Sequence, residues 1–147
     1  MFLSFIFLST ACNNDDDIDC ALFDPIIQQI FIELVDEEGN NLIENGTFDR
    51  DEISVRFNDF VFTGVVFDSE GIENLITLTL FGSNGDNTFF IDLSNTETDI
   101  MVTNLTQISE TCGVSFFELN SITYNGEVQT VLDDGSFNGF PRIRVVR

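Results

Sequence analysis

Apolar and polar residues alternate with period two along most of the chain. In IFIEL, Ile30, Ile32 and Leu34 share one side. In ISVRFN, Ile53, Val55 and Phe57 alternate with Ser54, Arg56 and Asn58. ITLTL sets Ile76, Leu78 and Leu80 against Thr77 and Thr79; FFIDL places Phe89, Ile91 and Leu93 together; RIRV puts Ile143 and Val145 inward. Successive side chains of a strand point to opposite faces, so this pattern predicts strands with one buried and one wet face. No amphipathic helical period and no internal repeat is present. GIENLITLTL could open with a helical turn, but its β-branched content favours strand. The span NTETDIMVTNLTQISETC carries the weakest pattern.

Turn signals separate these runs: DEEGNN at 36–41, ENGT at 44–47, DSEG at 68–71, GSNGDN at 82–87, YNG at 124–126 and LDDGSFNG at 132–139. Asn-Gly and Asp-Gly pairs accept the positive φ angles of tight hairpins. Eight or nine short strands at this spacing predict an all-β, antiparallel sandwich or a closed barrel, with the sandwich favoured. FIELVDEEGNNLI resembles the first hairpin of immunoglobulin-like or transthyretin-like modules, a strand, a D-x-x-G-N turn and a short returning strand. That resemblance implies a sandwich of one of those two types.

Composition narrows the chemistry. The chain of 147 residues carries a net charge of −21, with five basic residues (all Arg) and no His. Nucleic-acid binding needs Lys and Arg to neutralise phosphates, so that partner class is excluded. Without His or Lys there is no Ser-His-Asp or Cys-His site, no His-ligated zinc and no lysine Schiff base. No nucleotide-binding fingerprint occurs. The 17 Phe, against one Tyr and no Trp, read as core filling, since Phe buries a large area without a polar atom.

The N-terminal segment supplies an address. Residues 2–8, FLSFIFL, are too few to span a bilayer, which takes roughly 20 apolar residues, and suit the apolar part of a secretory signal. Small residues Ser9, Thr10 and Ala11 precede Cys12. LSTAC resembles a bacterial lipobox, with Ser9 where Leu is usual and no base before Arg50. NNDDDID after it resembles the acidic export tag of surface lipoproteins of the Bacteroidota. The resemblance implies lipidation at Cys12, a signal over 1–11, an acidic tether over 12–24 and a domain over 25–147. The implied location is the outer membrane, lipid-anchored, on the surface or the periplasmic face. With Cys12 acylated, Cys20 and Cys112 remain. In an oxidising envelope this pair is expected to form a disulfide worth about 4–5 kcal/mol on the chain-entropy model.

Calcium is the one metal with candidates: Asp68, Glu70 and Glu73 around Gly71, and Asn84, Asp86 and Asn87 in GSNGDN. Neither segment fits the EF-hand spacing, and hairpin geometry explains Asp, Asn and Gly there equally well, so no cofactor is expected. Arg142 and Arg144 share the outward side of their strand, where they compensate neighbouring acids. The expected function is a lipid-anchored envelope protein with a binding or structural accessory role and no catalysis. A carbohydrate- or protein-binding module of an uptake or adhesion system is the alternative, and a carboxylate-pair hydrolase a remote one.

Overall fold

The computed structural model describes residues 18–67, 69–132 and 139–147. The lipobox with Cys12, the calcium candidate Asp68 and most of the 132–139 turn lie outside them. Among the described residues nine strands run in chain order: β1 (Gln29–Val35), β2 (Ser54–Phe57), β3 (Phe60–Thr63), β4 (Ile76–Thr79), β5 (Gly85–Asp92), β6 (Thr98–Thr111), β7 (Val114–Tyr124), β8 (Glu127–Val128) and β9 (Arg142–Val146). No helix occurs among the described residues, so none could cross a membrane.

The strands form a six-stranded sheet, ordered β3-β2-β5-β6-β7-β8, and a three-stranded sheet, ordered β4-β1-β9. Every pairing in the larger sheet is antiparallel. The smaller sheet departs from the antiparallel expectation: β1 pairs β4 antiparallel but β9 parallel, with Glu33 opposite Arg144. A hairpin can join only antiparallel neighbours. Strands β1 and β9 are separated by most of the chain, so no tight turn dictates their direction.

The alternation read from the sequence marks the inner faces. Ile30, Ile32 and Leu34 of β1, Val55 and Phe57 of β2, Ile76 and Leu78 of β4, Phe89 and Ile91 of β5 and Ile143 and Val145 of β9 all join one apolar cluster. Residues of β6 and β7 (Met101, Leu105, Phe117, Ile122 and Tyr124) complete it, so both sheets feed the same core. The central strand β1 is covered on its second face too: Phe31 and Val35 are buried, and Phe31 meets Phe140 edge-on at 6.4 Å. On β4, Thr77 was expected on a wet face, yet it is buried. Its N–H donates to the Val65 carbonyl at 2.7 Å, so the 65–66 backbone lies along that edge.

The D-x-x-G-N turn forms as expected. The Asp36 carboxylate accepts from the backbone N–H groups of Glu38 and Asn40 and from the Asn40 amide. These bonds, the Asn40 side chain first, hold the Asp36 carboxyl below its ordinary value. The returning strand shrinks to a single bridge, Val35 to Asn41.

The weakly patterned span 95–112 is β6, the longest strand, and it pairs with β7 through two bulges. Past Leu105 the side chains of Thr106 to Glu110 are all exposed, so this half of β6 has no alternation to read, although its β7 partner Phe117 still joins the core. Its tip is the pair Cys112-Gly113, both in the left-handed region (φ 54° and 79°). Two central residues with positive φ are what a type I′ hairpin turn demands. Cys112 is bonded to Cys20 with 5.3 Å between the Cα atoms. The leading segment is further held by Gln28, whose side-chain amide accepts from the Phe117 N–H and donates to the Phe117 carbonyl, both at 2.8 Å. That amide substitutes for a strand rung along the open side of β7.

Candidate functional site

One end of the fold is closed by a polar lock drawn from both sheets. Asp99, at the start of β6, follows the inward phase of Met101, Thr103 and Leu105 and is only 3% exposed. An isolated buried carboxylate is costly unless it is paired and hydrogen-bonded. Here the Tyr124 hydroxyl donates to one oxygen at 2.8 Å, and the Asn125 amide donates to the other at 2.9 Å. Arg147 completes the set as a fork, with Nη2 to Oδ1 and Nε to Oδ2, each at 3.1 Å. A bidentate arginine gives a carboxylate strength and direction together.

The backbone explains why these groups meet. Met101 and Tyr124 are register partners on β6 and β7, which brings Asp99 and the following turn side by side. Asn125 sits in that turn at φ 49°; its N–H donates to the Ile100 carbonyl and its side-chain oxygen accepts from the Ile100 N–H. Arg147 arrives from the other sheet, its N–H donating to the Val35 carbonyl at 2.9 Å. Its guanidinium lies 5.1 Å over the Phe48 ring and also reaches Glu97 at 3.4 Å.

This lock floors an open cleft of about 980 Å³. Hydroxyls and amides of Thr47, Ser94, Thr96, Asn125 and Gln129 line it, together with Glu97, Glu127 and Arg144. Burial first, and then the Asp99 charge, push the Tyr124 phenol far above its ordinary value, so it stays protonated and serves as a donor. Asp99 already accepts from three side chains. The cleft offers hydrogen-bonding groups and shape, lined by Tyr124, Asn125 and Arg147 of the lock.

One signal for this lock stands in the sequence: an acid, Asp99, on the inward phase of its own strand. Its partners Tyr124, Asn125 and Arg147 lie far along the chain, and only the β6–β7 register and the β1–β9 pairing join them.

The arginines of β9 compensate acid as expected, on a half-buried site. Glu33 of β1 accepts from Arg142 and from Arg144, the latter at 2.8 Å. Burial pushes the Glu33 carboxyl up, but the bonds from Arg144 and Arg142 outweigh it and hold the group below the ordinary 4.5. On the outer face of the larger sheet, Arg56 donates to both oxygens of Asp92, at 2.6 and 2.9 Å, with its guanidinium 5.0 Å over Phe90.

Of the cysteine expectations, Cys20 and Cys112 are joined. Of the calcium candidates, Glu73 and Asn87 are engaged within their own turns, and Asn84 and Asp86 are engaged by residues of β6. Glu73 accepts from the Gly71 N–H at 2.8 Å, Asn84 from the Gln107 N–H at 2.7 Å and Asp86 from the Asn104 amide at 2.6 Å. Asn87 accepts from the Ser83 N–H and donates to the Ser83 and Gly85 carbonyls. Glu70 is exposed. Among the described residues no group of three acid or cysteine side chains is gathered to hold a metal. Comparison of the chain with protein-family models, with curated proteins and with solved structures returns no match.

Proposed function

We propose that the chain is a lipid-anchored cell-envelope protein, held at the outer membrane through Cys12, whose domain has a binding or structural accessory role and no catalytic one. We read its two sheets as a sandwich of immunoglobulin-like or transthyretin-like type, because both inner faces feed one core. The observation that carries the address is the Cys20–Cys112 disulfide. Such bonds persist in oxidising compartments and are rare in reducing ones. The bond also leaves Cys12 as the one cysteine available for acylation, in agreement with LSTAC.

Metabolic labelling with a fatty acid tests the anchor. The wild-type chain is expected to take up label and Cys12→Ser to lose both label and membrane association. An unlabelled wild type, or label retained in the variant, overturns the reading.

The cleft above Asp99 favours a second reading, a carbohydrate- or protein-binding module. Its lining of hydroxyls and amides suits a neutral, hydrogen-bonding ligand better than a charged one. Carboxylate-pair hydrolysis is the less favoured reading there, because Asp99 is saturated with donors and Glu97 meets Arg147 at 3.4 Å, which leaves Glu127 without a second carboxylate among the lining residues to act with.

A further inference from the structure

We propose that β3 is a strand-addition edge that receives an extended segment of another protein, apolar in alternation and flanked by Arg or Lys. This names a partner class for the binding role above and rests on that reading.

The outer edges of the two sheets are not alike. The backbone at 65–66 covers β4, and Leu132, whose N–H donates to the Arg142 carbonyl at 2.7 Å, covers β9. Strand β8 is two residues long, and the open side of β7 is met at Phe117 by the Gln28 amide. Strand β3 has four residues, pairs with β2 alone among the described residues, and has every side chain exposed. Phe60 is 64% and Val61 61% exposed. Natural edges are blunted by shortness, Lys, Pro, a bulge or a covering loop; β3 is short at four residues, and among the described residues it has none of the others.

Both faces of an added strand would meet apolar surface. On the inner side Phe62 lies 5.3 Å from Phe81, which itself contacts Phe57 and Phe89. On the outer side Val61 is the register partner of Arg56, the residue lying over Phe90. Backbone bonds along such an edge give affinity, and alternate side chains give specificity.

Charge selects the occupant. Asp59 stands at one end of β3, and Asp51 and Glu52 precede Ser54, the register partner of Thr63 at the other end. The nearby Arg56 is held by Asp92. A second copy would bring its own charge of −21, and a four-residue edge falls well short of the roughly 1,000 Å² that a stable dimer needs. A basic-flanked strand removes the charge obstacle, and the small area then makes its binding one of the weak, transient class.

The probe is a blocked peptide, Arg-Arg-Val-Thr-Val-Thr-Val-Arg-Arg, added to the full chain. Hydrogen exchange of the amides of residues 60–63 is expected to slow at least fivefold. Binding is expected to weaken at least tenfold with Val61→Lys or when the flanking arginines are replaced by glutamates. Val128→Lys, the same charge change on β8, is expected to leave it intact. Absence of protection at 60–63, indifference to Val61→Lys, or equal binding of the glutamate-flanked peptide overturns the proposal. So does a dimer of the chain that Val61→Lys dissolves in sedimentation, which would assign the edge to a second copy. The exchange readout on the wild-type chain stands even if a variant fails to fold. A negative peptide result with fatty-acid label retained removes the edge and leaves the anchor; loss of label with peptide binding retained does the reverse.

Discussion

Asp99 and Arg147 meet as a buried fork across the two sheets, with two nitrogen–oxygen separations of 3.1 Å. The pair binds the last residue of the three-stranded side to the first turn of β6, next to the open cleft. Removing Asp99 leaves Arg147, 24% exposed, with only Glu97 at 3.4 Å among the described acids, and strands the Tyr124 hydroxyl and the Asn125 amide without their acceptor. Asp99→Ala is therefore expected to cost about 3–5 kcal/mol. Tyr124→Phe deletes one donor from a carboxylate that keeps Asn125 and Arg147, and is expected to cost about 1–2 kcal/mol. Urea unfolding of the two variants measures both. Equal losses would make the phenol, and not the ion pair, the centre of the lock.

The disulfide and the turn that carries it can be separated by substitution. Cys112 occupies the left-handed region at φ 54°, where a side chain costs about 1–2 kcal/mol relative to glycine. The bond spans 92 residues and constrains the unfolded chain by up to about 4–5 kcal/mol. Cys20→Ser with Cys112→Ser is expected to show that full loss in denaturant unfolding. Cys20→Ser with Cys112→Gly is expected to recover about 1 kcal/mol of it, because the turn is then relaxed. No difference between the two double variants would mean that the hairpin tip opens once the bond is gone.

The elements that could be read from sequence are those buried on one face and joined by local turns. Ile30-Ile32-Leu34, Val55-Phe57 and Phe89-Ile91 alternate because one face is dry, and the Asn125-Gly126 turn is legible because its residues accept positive φ. Where the physics is not local, the reading stopped. Strand β6 loses its alternation beyond Leu105, where its own side chains are exposed on both faces, and the bulges at Ile108 and Asn120 shift the phase of the hairpin. Cys112-Gly113 carries no ordinary turn signature, since its first residue is there for the sulfur. The parallel pairing of β1 with β9 depends on residues more than a hundred positions apart, so the Asp99 lock stayed hidden although its acid stood on the inward phase. The cysteine pairing was legible by parity, given the acylation expected at Cys12.

Calcium is expected to change stability little. The oxygens of Glu73, Asn84 and Asp86 already accept bonds, the first from its own turn and the other two from Gln107 and Asn104 of β6, so binding would first have to break these contacts. A single site a hundredfold above its dissociation constant would add about 2.7 kcal/mol. Thermal unfolding at millimolar calcium is therefore expected to shift by less than about 1 °C. A shift of several degrees, absent with magnesium, would establish a site.

Acid should unfold the chain in part through Glu33. Its folded-state value lies below 4.5, held down by Arg144 and Arg142 against the opposing effect of burial. A depressed carboxylate contributes stability that is complete above its unfolded value and disappears as pH falls through the folded one. The loss belongs to the region below about pH 4.5, and protonation there also removes the acceptor on which both arginines converge. Glu33→Gln should cost about 1–3 kcal/mol at pH 6, and the gap between variant and wild type should narrow as pH falls below about 4.5. A second effect runs the other way: with a net charge of −21, protonating exposed acids relieves long-range repulsion and favours the compact state. Salt separates the two, because at about 0.15 M ionic strength screening acts beyond roughly 8 Å, whereas the Arg144–Glu33 bond is 2.8 Å long. Unfolding measured in that salt should show the acid limb in the wild type and a flatter one in Glu33→Gln. An acid limb of equal depth in both would assign the loss to other carboxylates, with Asp92, held down chiefly by its bond from Arg56, the next to replace.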